Sequence, residues 1–211
     1  SLHVDLMAEQ FSKDKVHSPA LDHARSSLGS LNSLLSSLLD ISKLDAGNVK
    51  TVSKDFDVTE FLDSLVNNYS GLAREENVEV VTHAHKLTAF TDPVLLERLL
   101  GNLVVNAILH SGSHKVIVSA RKVNDATIRF SVHDKGTGIA TEDMPEIFTE
   151  YQRLNSGAPE KKAGLGLGLA IVKRLATTLN TEVVAHSIWG KGSSFSVTVA
   201  MGDAKDIQRS K

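Results

Sequence analysis

After Asp92 the chain reads PVLLERLLGNLVVNAILH, a stretch at helical spacing with scarcely a polar face. Asp92 followed by Pro93 marks its start, because proline at the first helical position gives up no needed N–H and already has a helical φ. A helix that is apolar nearly all round must be buried, so another layer of the chain has to cover it. The cover is predicted directly downstream. Residues 115–121 and 127–133 alternate apolar and polar about Asn124-Asp125, which reads as a hairpin of half-buried strands. Upstream, Asp57 is a candidate N-cap for a helix running through Phe61, Leu65 and Leu72 to Ala73, and residues 78–81 and 88–90 read as short strands. A polar stretch follows from Thr141 to Ala163, then a helix from about Gly168 to Leu179 and closing strands near residues 182–187 and 194–200. Helices and antiparallel strands are mixed rather than strictly alternating. This predicts an α+β fold, a two-layer sandwich with helices on one face of a sheet, over a doubly wound parallel sheet.

The first fifty residues differ in texture, being rich in Leu and Ser with one break around Lys13 to Pro19. Leu21, Ala24, Leu28, Leu31, Leu35 and Leu38 step by three and four, the seam of a coiled-coil-like helix, and Leu34, Ile41 and Leu44 widen it as in a four-helix bundle. A two-helix hairpin cannot complete such a bundle alone, so residues 1–48 are expected to form a dimerisation hairpin with a second copy. The alternative is a two-helix lid on the chain's own core. Residues 49–202 are then the main domain and 203–211 a polar tail or linker.

Composition narrows the function classes. With 23 Lys and Arg against 25 Asp and Glu, the net charge of −2 is too balanced for the phosphate-neutralising field of a general nucleic-acid binder. Zero Cys rules out disulfides, thiolate metal sites and a Cys nucleophile, and agrees with a reducing, cytoplasmic compartment. No apolar run approaches the ~20 residues of a membrane span, so no membrane contact is expected from this segment. A membrane-anchored parent is compatible with that.

Three elements carry chemistry. Asn102, Asn106 and His110 recur every four residues on the apolar helix and so share one stripe. Buried carboxamides need partners for every donor and acceptor, which means either an internal network or a ligand. An Asn oxygen is a hard donor suited to Mg²⁺, which in nucleotide sites takes one or two protein oxygens and leaves the rest to phosphate and water. Next, Asp134-Lys135-Gly136-Thr137-Gly138 follows a strand end. It reads either as an ordinary turn or as a carboxylate placed to accept from a base such as adenine, with glycines permitting close backbone approach. Finally, Gly164-Leu165-Gly166-Leu167-Gly168 leads into a helix, where free N–H groups and the dipole favour an anion, or where glycines simply make a hinge. No strand precedes these glycines and no Gly-Lys-Ser/Thr is present, so neither a dinucleotide fingerprint nor a Walker loop fits.

In this order the three elements resemble the ATP-binding domain of sensor histidine kinases. That family shares its Bergerat, or GHKL, nucleotide fold with type II topoisomerases, Hsp90 chaperones and MutL repair proteins. Asn102 and Asn106 are similar to the N box, Asp134 to Gly138 to the first glycine box, Phe148 to the F box, and Gly164 to Gly168 to the second glycine box. Leu38 to Gly47 resembles the end of the second dimerisation helix, so the likeness covers nearly the whole chain. The resemblance implies that ATP and Mg²⁺ are the cofactors. Asn106 would be the Mg²⁺ ligand with Asn102 supporting it, Asp134 would bind the adenine amino group, and Gly136 and Gly138 would line the purine pocket. Residues 139–163 would form an ATP lid offering Arg153, Lys161 and Lys162, while Gly164, Gly166 and Gly168 would serve as lid hinge and phosphate cradle. Many relatives place Lys or Arg three residues after the Mg²⁺-binding Asn, where this chain has Leu109. His110 next door either takes over the phosphate contact or completes the polar stripe.

The resemblance also implies transfer of the ATP γ-phosphoryl group to a histidine, a homodimer and a response-regulator receiver domain as partner, with a further receiver domain after the tail if the parent is of the hybrid type. The acceptor box, a His followed by an acidic residue and shortly by Pro, is absent: His3 precedes Val4, and His17 and His23 lie at the loop. The acceptor is therefore expected upstream, and this segment is not expected to phosphorylate itself. The alternatives are a GHKL-type ATPase, disfavoured because Asn102 stands where such enzymes carry a carboxylate base, and a pseudokinase scaffold, favoured only by Leu109.

Overall fold

The computed structural model describes residues 50–151 and 166–204. The hairpin expected in residues 1–48, most of the tail, and Arg153, Lys161, Lys162 and Gly164 lie outside the described residues.

The apolar helix forms as its sequence demands. It is α2, Pro93–His110, with Asp92 as N-cap accepting from Val94 N (3.0 Å) and Leu95 N (3.1 Å). The other carboxylate oxygen of Asp92 accepts from Val52 N at 2.8 Å, fastening the incoming chain to the helix start. Leu96, Leu99, Leu100 and Val104 are fully buried. Helix α1, Val58–Glu75, starts at its Asp57 cap, and α3 spans Gly168–Thr178. Both lie against α2.

Seven strands make the opposing layer: β1 Lys54–Asp57, β2 Glu79–Ala84, β3 Thr88–Thr91, β4 Lys115–Asn124, β5 Thr127–Asp134, β6 Val183–Ile188 and β7 Gly192–Met201. Their order is β1-β3-β7-β5-β4-β2, with β6 also paired to β7. Only β2 and β4 run parallel; every other pairing is antiparallel. The last strand in sequence is thus central in space.

Register decides the two faces. Val118, Val132 and Phe195 align across β4, β5 and β7, and Ala120, Phe130 and Val197 form the next row. All six are buried beneath the helices. Phe61 of α1 meets Phe130 edge-on, with centroids 5.9 Å apart, a contact worth about 0.5–1.5 kcal/mol beyond its buried area. The result is the expected α+β two-layer sandwich with helices on one face. Strand β1 was not anticipated: Lys-Asp-Phe-Asp shows too little alternation to declare itself, and it becomes a strand by pairing with β3 in the Lys54↔Thr91 register.

Candidate functional site

Helix α2 ends at the same end of the sandwich as β5, and the chain between them is tied down by serines. The C-cap Ser111 donates its Oγ to Ala107 O (2.5 Å) and accepts from Ser113 N (3.0 Å). Ser113 is 6% exposed, and its Oγ donates to Lys115 O (2.7 Å) while accepting from Lys115 N (3.1 Å) and Lys135 N (3.2 Å). One buried hydroxyl therefore joins the start of β4 to the loop that follows β5.

That loop is the sequence-predicted 134–138 segment. Thr137 N donates to Ser111 O at 2.8 Å, and a Cβ added at Gly136 would collide with the same carbonyl. Gly138 has φ +69°, a left-handed conformation that favours glycine, and lies against the Ile188 carbonyl too closely for any side chain. The β6–β7 turn closes over it: Gly190 N donates to Thr137 O (2.7 Å) and Ile139 N to Ser187 Oγ (2.7 Å). The glycines thus let the loop be clamped between the end of α2 and a hairpin.

Asp134 sits at the mouth of this arrangement. Its Oδ1 accepts from Gly136 N (2.9 Å) and Ser193 N (3.3 Å). Its Oδ2 accepts from no described residue, so one carboxylate oxygen is held and the other is available. Burial pushes the Asp134 carboxyl above the usual carboxylate range, against the opposing pull of the Gly136 and Ser193 amides. His133, pointing to the other face of the sheet, is held below the ordinary imidazole range by burial and by Arg121, with Asp134 pulling the opposite way.

Asn106 is half-buried on α2, and its carboxamide bonds to no described residue. Gly168, the first residue of α3, packs directly over it: a Cβ there would meet Asn106 Oδ1 at 3.0 Å. The second glycine segment and the asparagine stripe are therefore in contact. Asn102, one turn earlier, donates Nδ2 to Arg98 O at 2.8 Å. His110 is the half-buried last residue of α2. The stripe is half-buried rather than enclosed, because the polar edge of α2 faces out from the packed core. Phe148 is half-buried in the turns before Tyr151, beside the buried Ile147. Tyr151 N donates to Gly166 O at 3.1 Å, and the Glu150 carboxylate pairs with Arg174 of α3.

The structure thus brings Asn106 against Gly168, and ties Ser111, just past the end of α2, to the loop of Gly136, whose amide donates to Asp134. Sequence reasoning passed over Ser111, Ser113, Ser187, Ser193 and Gly192. Serine and glycine in turns are common, and only the register of β7 shows that Gly192 and Ser193 return against Asp134. Among the described residues, the Asn106 carboxamide and Oδ2 of Asp134 make no hydrogen bond.

The comparisons with known proteins agree on the family of the chain. Residues 91–203, more than half of the chain, match the model of the histidine kinase-, DNA gyrase B-, and HSP90-like ATPases, and the chain belongs to that family. Within it, the chain is the ATP-binding catalytic portion of a sensor histidine kinase. Hybrid signal transduction histidine kinase B of Dictyostelium discoideum is 30% identical over 183 residues, which are 80% of this chain and 9% of that protein. The chain therefore spans a small part of that relative's length. Full-length ShkA, solved in complex with AMPPNP, matches 94% of this chain and 42% of its own at 25% identity and TM-score 0.77. Histidine kinase AdeS of Acinetobacter baumannii shares the fold, with TM-score 0.72 at 20% identity over 96% of this chain and 95% of that one.

Proposed function

We propose that the region between the C-terminal half of α2, the 134–138 loop and the start of α3 binds Mg²⁺–ATP, and that the γ-phosphoryl group passes from there to an imidazole nitrogen of a histidine. The observation that carries the reading is the packing of Asn106 against Gly168 on a helix whose end is tied, at Ser111, to the loop of Gly136 and Asp134. The free Oδ2 of Asp134 suits the exocyclic amino group of adenine, a donor that a half-buried carboxylate can recognise. Gly136 and Gly138 leave the backbone bare where a purine would lie. The unbonded carboxamide of Asn106 fits a hard divalent cation, with Asn102 keeping the stripe polar one turn away. Bound Mg²⁺ would supply neutralisation of phosphate charge, while the chain's part is chiefly positioning and exclusion of water.

The acceptor histidine, the homodimer and a receiver-domain partner are part of the same proposal. So are the phosphate contacts of His110, Arg153, Lys161 and Lys162, and the hinge role of Gly164, Gly166 and Gly168. The cytoplasmic placement is proposed likewise; among the described residues no helix is long and apolar enough to cross a membrane.

Titration with a fluorescent ATP analogue, with and without Mg²⁺, tests the reading. Saturable Mg²⁺-dependent binding is expected, lost in Asn106→Ala and weakened with or without Mg²⁺ in Asp134→Asn. Binding that ignores both substitutions would sink it.

A further inference from the structure

Between Asp134 and Ile139 the chain has left the sheet, so its shape there depends on what it is tied to. Two of the ties come from one hairpin. Ser193, at the start of β7, reaches the near end: its amide donates to Asp134 Oδ1 at 3.3 Å. Ser187 of β6, directly opposite Ser193, reaches the far end: its hydroxyl accepts from Ile139 N at 2.7 Å. The two side chains then meet, with 3.0 Å between their oxygens, and Ser187 Oγ lies 3.1 Å from Gly192 O. A serine hydroxyl has one proton and two lone pairs. With the proton given to Gly192 O and the lone pairs taking the Ile139 N–H and the Ser193 O–H, Ser187 serves all of these partners at once.

The hairpin itself does not require this hydroxyl. Its ladder runs from Val183↔Val197 to Ile188↔Gly192, and its turn is closed by Lys191 N donating to Ile188 O at 2.9 Å. What the hydroxyl adds is the link to Ile139. Gly138, just before, already lies against the Ile188 carbonyl, so the end of the glycine loop meets the same hairpin twice. Ile139 then heads a run of turns in which the amides of Asp143, Glu146 and Thr149 each bond the carbonyl three residues back. That run carries Phe148 and ends at Glu150, paired with Arg174 of α3. A shift at Ile139 would therefore move the glycine loop on one side and the Phe148 segment on the other, while Asp134 stayed with β7.

We propose that Ser187 is a positioning residue for the purine end of the nucleotide: through Ile139 and Ser193 its hydroxyl fixes the far side of the glycine loop relative to the Asp134 carboxylate. The inference rests on the nucleotide reading given above and adds to it a residue that acts on the base and not on the phosphates or the cation.

Substitutions in the full 211-residue chain test this, with every measurement made well below the unfolding midpoint. Without ligand, Ser187→Ala is expected to speed amide exchange at Ile139 about tenfold and to leave β4 and β5 unchanged. In titrations with a fluorescent ATP analogue, the same variant should bind about three- to tenfold more weakly, by the same factor with and without Mg²⁺. Ser187→Thr keeps the hydroxyl on a residue suited to strands and should bind within about twofold of the unsubstituted chain. Ser187→Ala combined with Asp134→Asn should lose less than the product of the two single losses, because both act on one contact. Losses that multiply, a Thr variant as weak as the Ala one, or exchange that quickens across the whole sheet would reduce Ser187 to a hairpin residue and overturn the proposal. Unchanged affinity in Ser187→Ala, against an unsubstituted chain that binds, overturns this inference alone. An unsubstituted chain that binds no analogue overturns the nucleotide reading and this inference with it.

Discussion

At the scale of single residues, Asp134 sets two opposite pH dependences. Burial raises its carboxyl above the ordinary value of 3.8, so in the nucleotide-free protein the folded state holds a proton that the unfolded chain releases. Its contribution to stability is then fully present below that ordinary value and is lost as pH rises through the higher folded one. Nucleotide binding requires the ionised form and runs the other way, so affinity falls as the solution is acidified into that window. Asp134→Asn should flatten both slopes, in calorimetric melts and in analogue titrations. It should also cost about 1–3 kcal/mol of binding, roughly ten- to a hundredfold in affinity, because a carboxamide has one acceptor oxygen and cannot accept both from the Gly136 and Ser193 amides and from a ligand amino group. Ser113 makes a second residue-scale case. Its hydroxyl is the acceptor for the Lys115 and Lys135 amides, so Ser113→Ala leaves two donors short and should destabilise by about 1–3 kcal/mol in denaturant titration.

At the scale of elements, α2 was legible almost to the residue because its cap, its proline and its apolar run all spoke for one structure. Asp92→Ala should lower stability by about 0.5–2 kcal/mol, read from the denaturation midpoint, since it removes both the cap and the tie to Val52. The β4–β5 hairpin declared its type and faces through period-two alternation, but not its turn: β4 runs on past residue 121 to Asn124, and the register shifts between Lys122 and Asn124. What the sequence hid was pairing. Nothing in Lys54–Asp57 announces a strand, and nothing in residues 192–201 says that this segment lies between β5 and β3. The candidate site was legible as three separate segments whose residue types suit a nucleotide. The clamps that hold them were not, because Ser111 and Ser193 act through backbone partners that only the folded register supplies.

At the scale of the whole molecule, the sheet is one cooperative body spanned by contacts distant in sequence, and β7 is its keystone. Deleting residues 192–204 should abolish the native circular dichroism and dispersed amide spectrum rather than trim an edge. Slowest amide exchange is expected in β4, β5 and β7, where both faces of the ladder are paired and the core rows lie. The placement of β7 has a consequence for how the chain is made. A nascent polypeptide leaving the ribosome can pair β1 with β3 and close its β4–β5 hairpin early, but those two units stay apart, and β6 has no neighbour, until β7 has emerged. Folding of this domain is therefore expected to wait until β7 has left the ribosome, holding unpaired strand edges in the care of chaperones meanwhile.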